Sequence, residues 1–221
     1  DQLSWGYGMS GNIESQELIN ALKSELKKAQ ETAKYWEVMA TTDDLTGLHN
    51  RRMLNHVHHH ITERRSEQSE DVTLLFIDLD DFGKLNKIYG DDVGDDALRL
   101  LGQMIRKNIR STDIAIRKGG DEFILFLMGT TPELAAGAVV KRLQLMLDGE
   151  LSLNVKGKEI PIKGSIGVFS YNKGLSPLDN MRNADTLMRK TKKQRKSDQV
   201  ETYTIVPHFS AAIEVSTNLT H

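Results

Sequence analysis

Residues 119–123 read Gly-Gly-Asp-Glu-Phe and join two apolar runs, Ile-Ala-Ile-Arg-Lys at 114–118 and Ile-Leu-Phe-Leu-Met at 124–128. Because glycine adopts the positive φ angles of tight turns, a Gly-Gly pair between such runs predicts a β-hairpin. Asp121 and Glu122 follow the turn directly, at the start of a strand that is otherwise apolar. A buried charge is costly unless it is paired or bound to a cation. The stretch therefore predicts a functional site at this end of the hairpin.

A second acidic cluster ends another apolar run. Residues 72–77, Val-Thr-Leu-Leu-Phe-Ile, predict a strand covered on both faces, which continues into Asp-Leu-Asp-Asp at 78–81. Side chains alternate along a strand, so Asp78 and Asp80 are predicted to share a face. If this strand lies beside the hairpin, Asp78 and Asp121 converge. Carboxylates with a neighbouring carbonyl suit a hard cation, usually Mg²⁺ where phosphates complete the shell. A solvated loop start is the alternative for either cluster alone.

Further motifs stand in a fixed order around the hairpin. Residues 43–52 read Asp-Asp-Leu-Thr-Gly-Leu-His-Asn-Arg-Arg, and Ser-Ile-Gly and Ala-Asp stand at 165–167 and 184–185. Together these stretches resemble the GGDEF domain family, the catalytic module of diguanylate cyclases, over roughly residues 40–205. The segment from 78 to 95 matches the family at seven positions: Asp78, Asp80, Phe82, Asn86, Gly90, Gly94 and Asp95.

The resemblance implies both a fold and a reaction. The expected fold is α+β: a mixed, mainly antiparallel sheet flanked by helices, related to nucleotidyl cyclases and preceded by an N-terminal coiled-coil helix. The expected enzyme is a diguanylate cyclase, a nucleotidyltransferase that condenses two GTP into cyclic di-GMP and two pyrophosphates. It works across a homodimer and depends on Mg²⁺ or Mn²⁺.

The family's residue roles carry over to matching positions. Asp121 and Glu122 are the expected catalytic pair. Asp78 and Asp121 would hold metal through their carboxylates and Leu79 through its carbonyl. Glu122 would be a further ligand or would help to deprotonate the attacking ribose hydroxyl. The expected substrate-binding residues are Asn86, Asp95, Phe82, Lys192, Lys196, Gly119 and Gly120.

The guanine-reading pair has alternative interpretations. A carboxylate can accept hydrogen bonds from the guanine N1 and N2 hydrogens, and an amide can donate to ring acceptors. Asp95 also falls just before a predicted helix, where it would act as an N-cap, although Asp92 could take that place. Asn86 is equally typical of a turn.

Several positions depart from the family pattern. Gly83 stands where lysine is usual, Lys87 where aspartate is usual and Asp91 where histidine is usual. Lys192 aligns with the phosphate-binding lysine, whereas Lys196 replaces an arginine and so lacks its bidentate fork. The basic run around them is also typical of a solvated helix face.

Arg110 and Asp113 match the family's Arg-x-x-Asp inhibitory site, which binds product dimers. An arginine that ends a helix, followed by a turn aspartate, is the alternative explanation of this spacing.

The N-terminal segment shows a heptad pattern. Apolar residues step by three and four at Ile19, Leu22, Leu26, Ala29, Ala33, Trp36 and Ala40. This spacing predicts a dimerising stalk over residues 13–42, with a single helix packed on its own domain as the alternative. The remaining boundaries are a flexible N-terminus at 1–12, the catalytic domain at 43–206 and a flexible tail at 207–221.

Composition limits the possible partners. The net charge of −2 gives no support for nucleic-acid binding, and the absence of cysteine excludes disulfides and thiolate zinc sites. No apolar run reaches the ~18 residues of a membrane span, so no membrane contact by this fragment is expected. Use of GTP favours the cytoplasm. The chain is interpreted as a piece that lacks an N-terminal sensory region, through which the full-length protein could be membrane-attached.

Other segments have simpler predictions. A helix is predicted over 133–147, a hairpin over 155–160, a core strand over 164–171, a helix from 177 and an edge strand over 200–206.

Three functional interpretations follow. The first is an active diguanylate cyclase. The second is a catalytically weak or inactive module that binds GTP or cyclic dinucleotide, and a mixed-substrate cyclic dinucleotide synthase is a variant of the first. The third is a non-enzymatic coiled-coil adaptor.

Overall fold

The computed structural model describes residues 6–63, 71–198, 204–208 and 211–214. The chain divides into two compact units at the junction of Thr41 and Thr42. In the first unit, helix α1 spans Gly6–Thr41, so the helix begins within the segment predicted to be a flexible N-terminus. Large apolar side chains are exposed along it, including those of Ile19, Leu22, Leu26 and Trp36.

The second unit is built on a mixed sheet, as predicted. In spatial order the described strands are β1 (His49–Asn50), β3 (Ile114–Gly119), β4 (Glu122–Met128), β2 (Val72–Leu79), β7 (Gly164–Ser170), β8 (Thr204–His208) and β9 (Ala211–Glu214). The pairs β1–β3 and β7–β8 are parallel, and the other four pairs are antiparallel. Strand β2 lies centrally between β4 and β7, and its apolar run is buried because helices cover both faces.

Helices pack on the two faces of this sheet. They are α2 (Met53–Glu63), α3 (Phe82–Tyr89), α4 (Asp91–Asn108), α5 (Pro132–Ala135), α6 (Lys141–Leu145) and α7 (Pro177–Asp198). Short π-helical runs at Ala136–Val140 and Met146–Glu150 follow α5 and α6. One core cluster contains Leu98 and Leu101 of α4, and the other contains Val57 of α2 and Met181 of α7. The apolar spacing of α4 explains its packing, since its periodic residues are the buried ones.

Most of the smaller predictions are confirmed. The helix predicted over 133–147 forms, and the hairpin over 155–160 is β5 (Ser152–Val155) with β6 (Lys158–Pro161). Helix α7 begins at Pro177, as predicted. The hydroxyl of the preceding Ser176 accepts a hydrogen bond from the Asp179 amide at 3.1 Å. The edge-strand prediction over 200–206 is wrong for its described part, because β8 pairs with β7 on one side and β9 on the other. Residues 200–203 lie outside the described residues.

No helix in the described ranges combines the length and the apolar character that crossing a bilayer requires. Of the segment predicted as a flexible tail, His208 ends β8 and residues 211–214 form β9, while 209–210 and 215–221 lie outside the described residues.

Candidate functional site

Two acidic side chains face each other across the central strands. Asp78 of β2 pairs in register with Glu122, the first residue of β4, and both are half-buried. Directly opposite residues of an antiparallel pair have Cβ atoms about 5 Å apart and point to the same face. The antiparallel register therefore brings together the ends of two strands that lie far apart in sequence. Asp121 immediately precedes this position, in the turn that leads into β4.

The turn itself depends on its glycines. Gly120 has a φ of 56°, in the left-handed region that residues with a Cβ rarely adopt, and Gly119 has a φ of 154°. Both are exposed. The hairpin predicted from these two residues is confirmed, and its turn leads directly into Asp121 and Glu122.

A β-bulge at the hairpin aims a lysine at the acids. The register of β3 with β4 shifts between Arg117 and Gly119, so Lys118 is the extra residue. Its Nζ lies 2.8 Å from Glu122 Oε2 and 4.9 Å from the centroid of the Phe76 ring. Sequence reasoning missed this contact because the alternation of an unbulged strand gives no sign of where the extra residue points.

The other residues of the acidic run have different roles. Strand β2 ends at Leu79, so Asp80 lies outside the strand and the predicted sharing of a face with Asp78 does not follow. Instead, Asp80 accepts a hydrogen bond from Ser165 Oγ at 3.0 Å. Leu79 lies one residue past the last pairing of β2 with β4. The Leu79 carbonyl therefore lies at the same end of β2 as the Asp78 carboxylate.

Asn86 and Gly94 meet where α3 and α4 join. Asn86 Oδ1 is buried and has no hydrogen-bond partner among the described residues. A methyl group on Gly94 would overlap that oxygen, so only glycine leaves room for the amide. An unsatisfied buried polar atom costs about 1–3 kcal/mol, which a ligand group can recover. The Asn86 amide in α3 therefore has hydrogen-bonding capacity that its described neighbours do not use.

Asp95 lies in the second turn of α4, not at its N-terminus. The helix follows Gly90, and Asp91 and Asp92 occupy its first turn, where their charges favour the helix dipole. The N-cap alternative for Asp95 is therefore wrong. Its carboxylate is half-buried and lies 3.8 Å from Arg99 Nη2. In sequence Asp95 directly follows Gly94, the residue that packs against the Asn86 amide.

The remaining predicted substrate-binding residues lie on two helices, α3 and α7. Phe82 begins α3 and packs against the core that contains α4. Lys192 and Lys196 lie in the last turns of α7, but their side chains fall outside the described part of the structure.

The predicted inhibitory pair lies at the opposite end of β4. Asp113 accepts hydrogen bonds from the backbone amides of Arg110 at 2.9 Å and Met128 at 3.1 Å. Met128 lies six positions along β4 from Glu122, a distance of about 20 Å. The Asp113 carboxylate thus closes the start of the hairpin, whereas Arg110 is exposed. This geometry is compatible with the structural alternative for Asp113 and leaves Arg110 accessible to a ligand.

A half-buried ion pair joins Asp43, in the motif at residues 43–52, to Arg117 beside the hairpin turn. Thr46 donates to Asp43 Oδ1 from its amide at 2.9 Å and its hydroxyl at 2.7 Å, and Arg117 Nη1 donates to Asp43 Oδ2 at 3.3 Å. Arg117 Nε also donates to the Gly120 carbonyl at 3.0 Å. Burial raises the pKa of Asp43, but the Thr46 hydrogen bonds and the Arg117 charge outweigh it and lower that pKa below its usual value.

Replacing Asp43 by Asn should make stability less dependent on acid pH. Because the pKa is lower in the folded chain, the Asp43 carboxylate stabilises the fold fully above about pH 4, and this contribution is lost as pH falls through the depressed value. We expect Asp43→Asn to cost about 1–2 kcal/mol at pH 7 and less at pH 3. Urea unfolding at both pH values measures this, with the exposed Asp44→Asn as control. An equal cost at both pH values would contradict it.

The described side chains do not by themselves complete the metal site that the sequence predicts. Among them, no three His, Cys, Asp or Glu side chains stand close enough together to hold a metal ion by themselves. The donors at the strand ends are the Asp78 and Glu122 pair, with Asp121 and the Leu79 carbonyl next to them. Their oxygen chemistry fits Mg²⁺ or Mn²⁺. Such a donor set leaves room for ligands from a bound phosphate.

Comparison with known proteins adds independent information. The family model described as "Diguanylate cyclase, GGDEF domain" matches residues 40–198. Response regulator PleD of Caulobacter vibrioides is 30% identical over 185 residues, which cover 80% of this chain and 40% of PleD. The probable diguanylate cyclase DgcC of Escherichia coli is 31% identical over 168 residues, covering 75% of this chain and 44% of DgcC. The chain thus matches less than half the length of these relatives.

A solved structure shares the fold. The coiled coil and GGDEF domain of DgcB from Caulobacter crescentus, in complex with c-di-GMP, superimposes with a TM-score of 0.68 at 21% identity. The match covers 81% of this chain and 94% of that one.

Proposed function

Because the chain belongs to the GGDEF domain family, we propose that it is a diguanylate cyclase that joins two GTP molecules into cyclic di-GMP and releases two pyrophosphates. The relatives named as diguanylate cyclases support a role in cyclic di-GMP synthesis. The observation that carries the proposal is the register pairing of Asp78 with Glu122 beside the Gly119–Gly120 turn. This pairing supports the proposal, because neighbouring acidic oxygens are suitable donors for the cations that a bound triphosphate needs.

Asp78, Asp121, Glu122 and the Leu79 carbonyl would hold Mg²⁺ or Mn²⁺. When bound, such an ion offsets the negative charge of the triphosphate and stabilises the charge that develops on the transferred phosphoryl group. Because no three described side chains form a complete site, phosphate oxygens are expected to supply the missing ligands.

Each subunit supplies one half of the reaction. Asn86 and Asp95 hold the guanine, with Gly94 leaving room for the amide. The 3′-oxygen of one GTP forms a bond to the α-phosphorus of the other, and the bond from that phosphorus to pyrophosphate breaks. Glu122 accepts the hydroxyl proton. Since the two nucleotides must face each other, positioning supplies much of the rate.

Two subunits are needed because each contains one such half-site. The exposed apolar residues of α1 repeat at three- and four-residue steps, as in a two-stranded coiled coil. We infer that α1 pairs with a second copy and sets the relative pose of the half-sites. GTP supply places the reaction in the cytoplasm.

The test is direct. The purified chain, incubated with GTP and Mg²⁺ or Mn²⁺, is expected to yield cyclic di-GMP by chromatography, and its mass by light scattering is expected to be that of a dimer. A parallel incubation with a GTP and ATP mixture separates strict GTP use from mixed synthesis. A dimer that binds a non-hydrolysable GTP analogue yet makes no product would overturn the proposed activity.

One observation favours a second function, a module that binds GTP without turning it over. Gly83 is exposed where the family has lysine, and nothing lies within 4 Å of the place its Cβ would occupy. A missing phosphate contact there would lower the rate more than nucleotide binding. Turnover by the parent chain separates the two functions, and Gly83→Lys should raise that turnover if the missing lysine limits the rate.

Replacing Arg110 by Ala should relieve product inhibition. Arg110 is exposed and its guanidinium can grip phosphate or a guanine edge, whereas Asp113 is already bonded to two backbone amides. We expect the cyclic di-GMP concentration that halves the rate to rise at least about tenfold, which is the loss of one charge-assisted contact. Lys107→Ala, at the exposed end of α4, is the control. Unchanged inhibition in Arg110→Ala would show that the Arg-x-x-Asp spacing is fortuitous.

A further inference from the structure

Lys118 is in an unusual position for a surface lysine. As the extra residue of the bulge it has no cross-strand partner of its own, and its side chain turns onto the face that carries the acids. Its side chain is 31% exposed and that of Glu122 is 26% exposed, so the 2.8 Å contact between them is partly shielded from water. The buried Phe76 ring lies under the ammonium at 4.9 Å and fixes it further.

The charge balance around Lys118 explains why a cation is stable there. Asp78 and Glu122 lie opposite each other in the ladder, and like charges at such positions repel. A cation between or beside them removes that cost. Among the described residues, Lys118 supplies the positive charge that contacts Glu122.

We propose that Lys118 is a resident cation, which neutralises Glu122 while no divalent ion is bound and thereby weakens metal binding at this end of the sheet. The inference rests on the metal role of Glu122 in the proposed function. A divalent ion that takes Glu122 as a ligand must either displace the ammonium or bind beside a like charge. Lys118 is thus a positioning residue: it acts through Glu122 and sets the metal concentration at which the site fills.

The size of the effect follows from Coulomb's law. Even at the dielectric constant of water, which gives the weakest interaction for this partly shielded pair, a double charge about 6 Å from a single charge changes an equilibrium constant by about tenfold. Removing the ammonium should therefore lower the metal concentration for half-occupancy by about tenfold.

Two substitutions isolate the charge from the packing. Lys118→Met keeps an unbranched apolar side chain against Phe76 and removes the ammonium, whereas Lys118→Arg keeps the charge. Mn²⁺ is titrated into each protein with a non-hydrolysable GTP analogue present, and free Mn²⁺ is followed by electron paramagnetic resonance. We expect the midpoint to fall about tenfold in Lys118→Met and to stay within about twofold of the parent in Lys118→Arg. The exposed Lys141→Met should leave it unchanged.

A second measurement needs no metal. In the presence of a chelator, Lys118→Met should unfold at a lower temperature than the parent, because Glu122 then faces Asp78 without the ammonium that contacts it. Saturating Mn²⁺ with the GTP analogue should close that gap. Lys118→Arg should behave as the parent in both conditions.

Several results would overturn the inference. An unchanged or higher Mn²⁺ midpoint in Lys118→Met would show that the ammonium does not compete with metal. A weaker affinity for the GTP analogue without a midpoint shift would mean that Lys118 binds phosphate instead. Undetectable Mn²⁺ binding in every variant would remove the metal from Glu122 altogether. None of these readouts requires turnover, so failure of this inference is separate from a failure to make cyclic di-GMP.

Discussion

Asp121→Ala and Glu122→Ala should each reduce cyclic di-GMP synthesis by about a thousandfold while leaving the fold intact. Both carboxylates stand at the turn into β4, and Glu122 faces Asp78 across the ladder. Losing either removes a negative charge that would hold metal against the triphosphate, and losing Glu122 also removes the proposed proton acceptor. Neither side chain belongs to the two buried core clusters, so the sheet should survive. Product formation at saturating GTP and Mg²⁺ measures the loss.

The control is Glu133→Gln, an exposed carboxylate in the first turn of α5, which should keep full activity. Circular dichroism and thermal unfolding check the fold of each variant. A folded Asp121→Ala or Glu122→Ala protein with the parent rate would refute the assignment of the site.

Gly94→Ala should raise the KM for GTP by about a hundredfold with a smaller change in kcat. The new methyl group would occupy the place of Asn86 Oδ1 and force the amide away from its buried position. The guanine base then loses its proposed hydrogen bonds to Asn86, while Asp78 and Glu122 keep their positions. Alanine favours a helix more than glycine does, by about 0.5–1 kcal/mol, so propensity gives no reason for α4 to unfold. Initial rates over a GTP series give both constants.

Gly137→Ala is the matched control for Gly94→Ala. Gly137 is exposed in a helical segment, and nothing lies within 4 Å of the position of its added methyl group. Its kinetics should equal those of the parent. If Gly94→Ala binds GTP as tightly as the parent, the amide of Asn86 has no role in reading guanine.

Much of the fold was predictable because its signals are local. The Gly119–Gly120 turn and the continuous apolar run of β2 each predict one element, and both predictions are confirmed. The buried residues of α4 likewise recur at the spacing of one helix face. Proline positions likewise predict the starts of α5 and α7. The motif resemblance added the mixed, mainly antiparallel arrangement of the sheet, which local patterns alone do not give.

The site was less predictable because it depends on register and side-chain direction. A strand reading placed Asp78 near Asp121, but the register puts Glu122 opposite it. The bulge that aims Lys118 comes from one extra residue, and no local propensity distinguishes it from a regular strand residue. The sequence pattern suggested that α4 starts just after Asp95, which allowed a capping role for Asp95, whereas the helix begins at Asp91. The fit of Asn86 against Gly94 is a contact between two helices, which single-element reasoning cannot see.

The bonding of Asp113 bears on how feedback regulation is read from sequences across a protein family. Its carboxylate holds two backbone amides at the base of the hairpin, so selection for folding alone would retain it after any regulatory need had gone. The arginine three positions earlier joins this turn only through its backbone, and its exposed guanidinium makes no hydrogen bond among the described residues. In homologues, then, a retained aspartate says little about end-product control, and the arginine is the position whose gain or loss should track it.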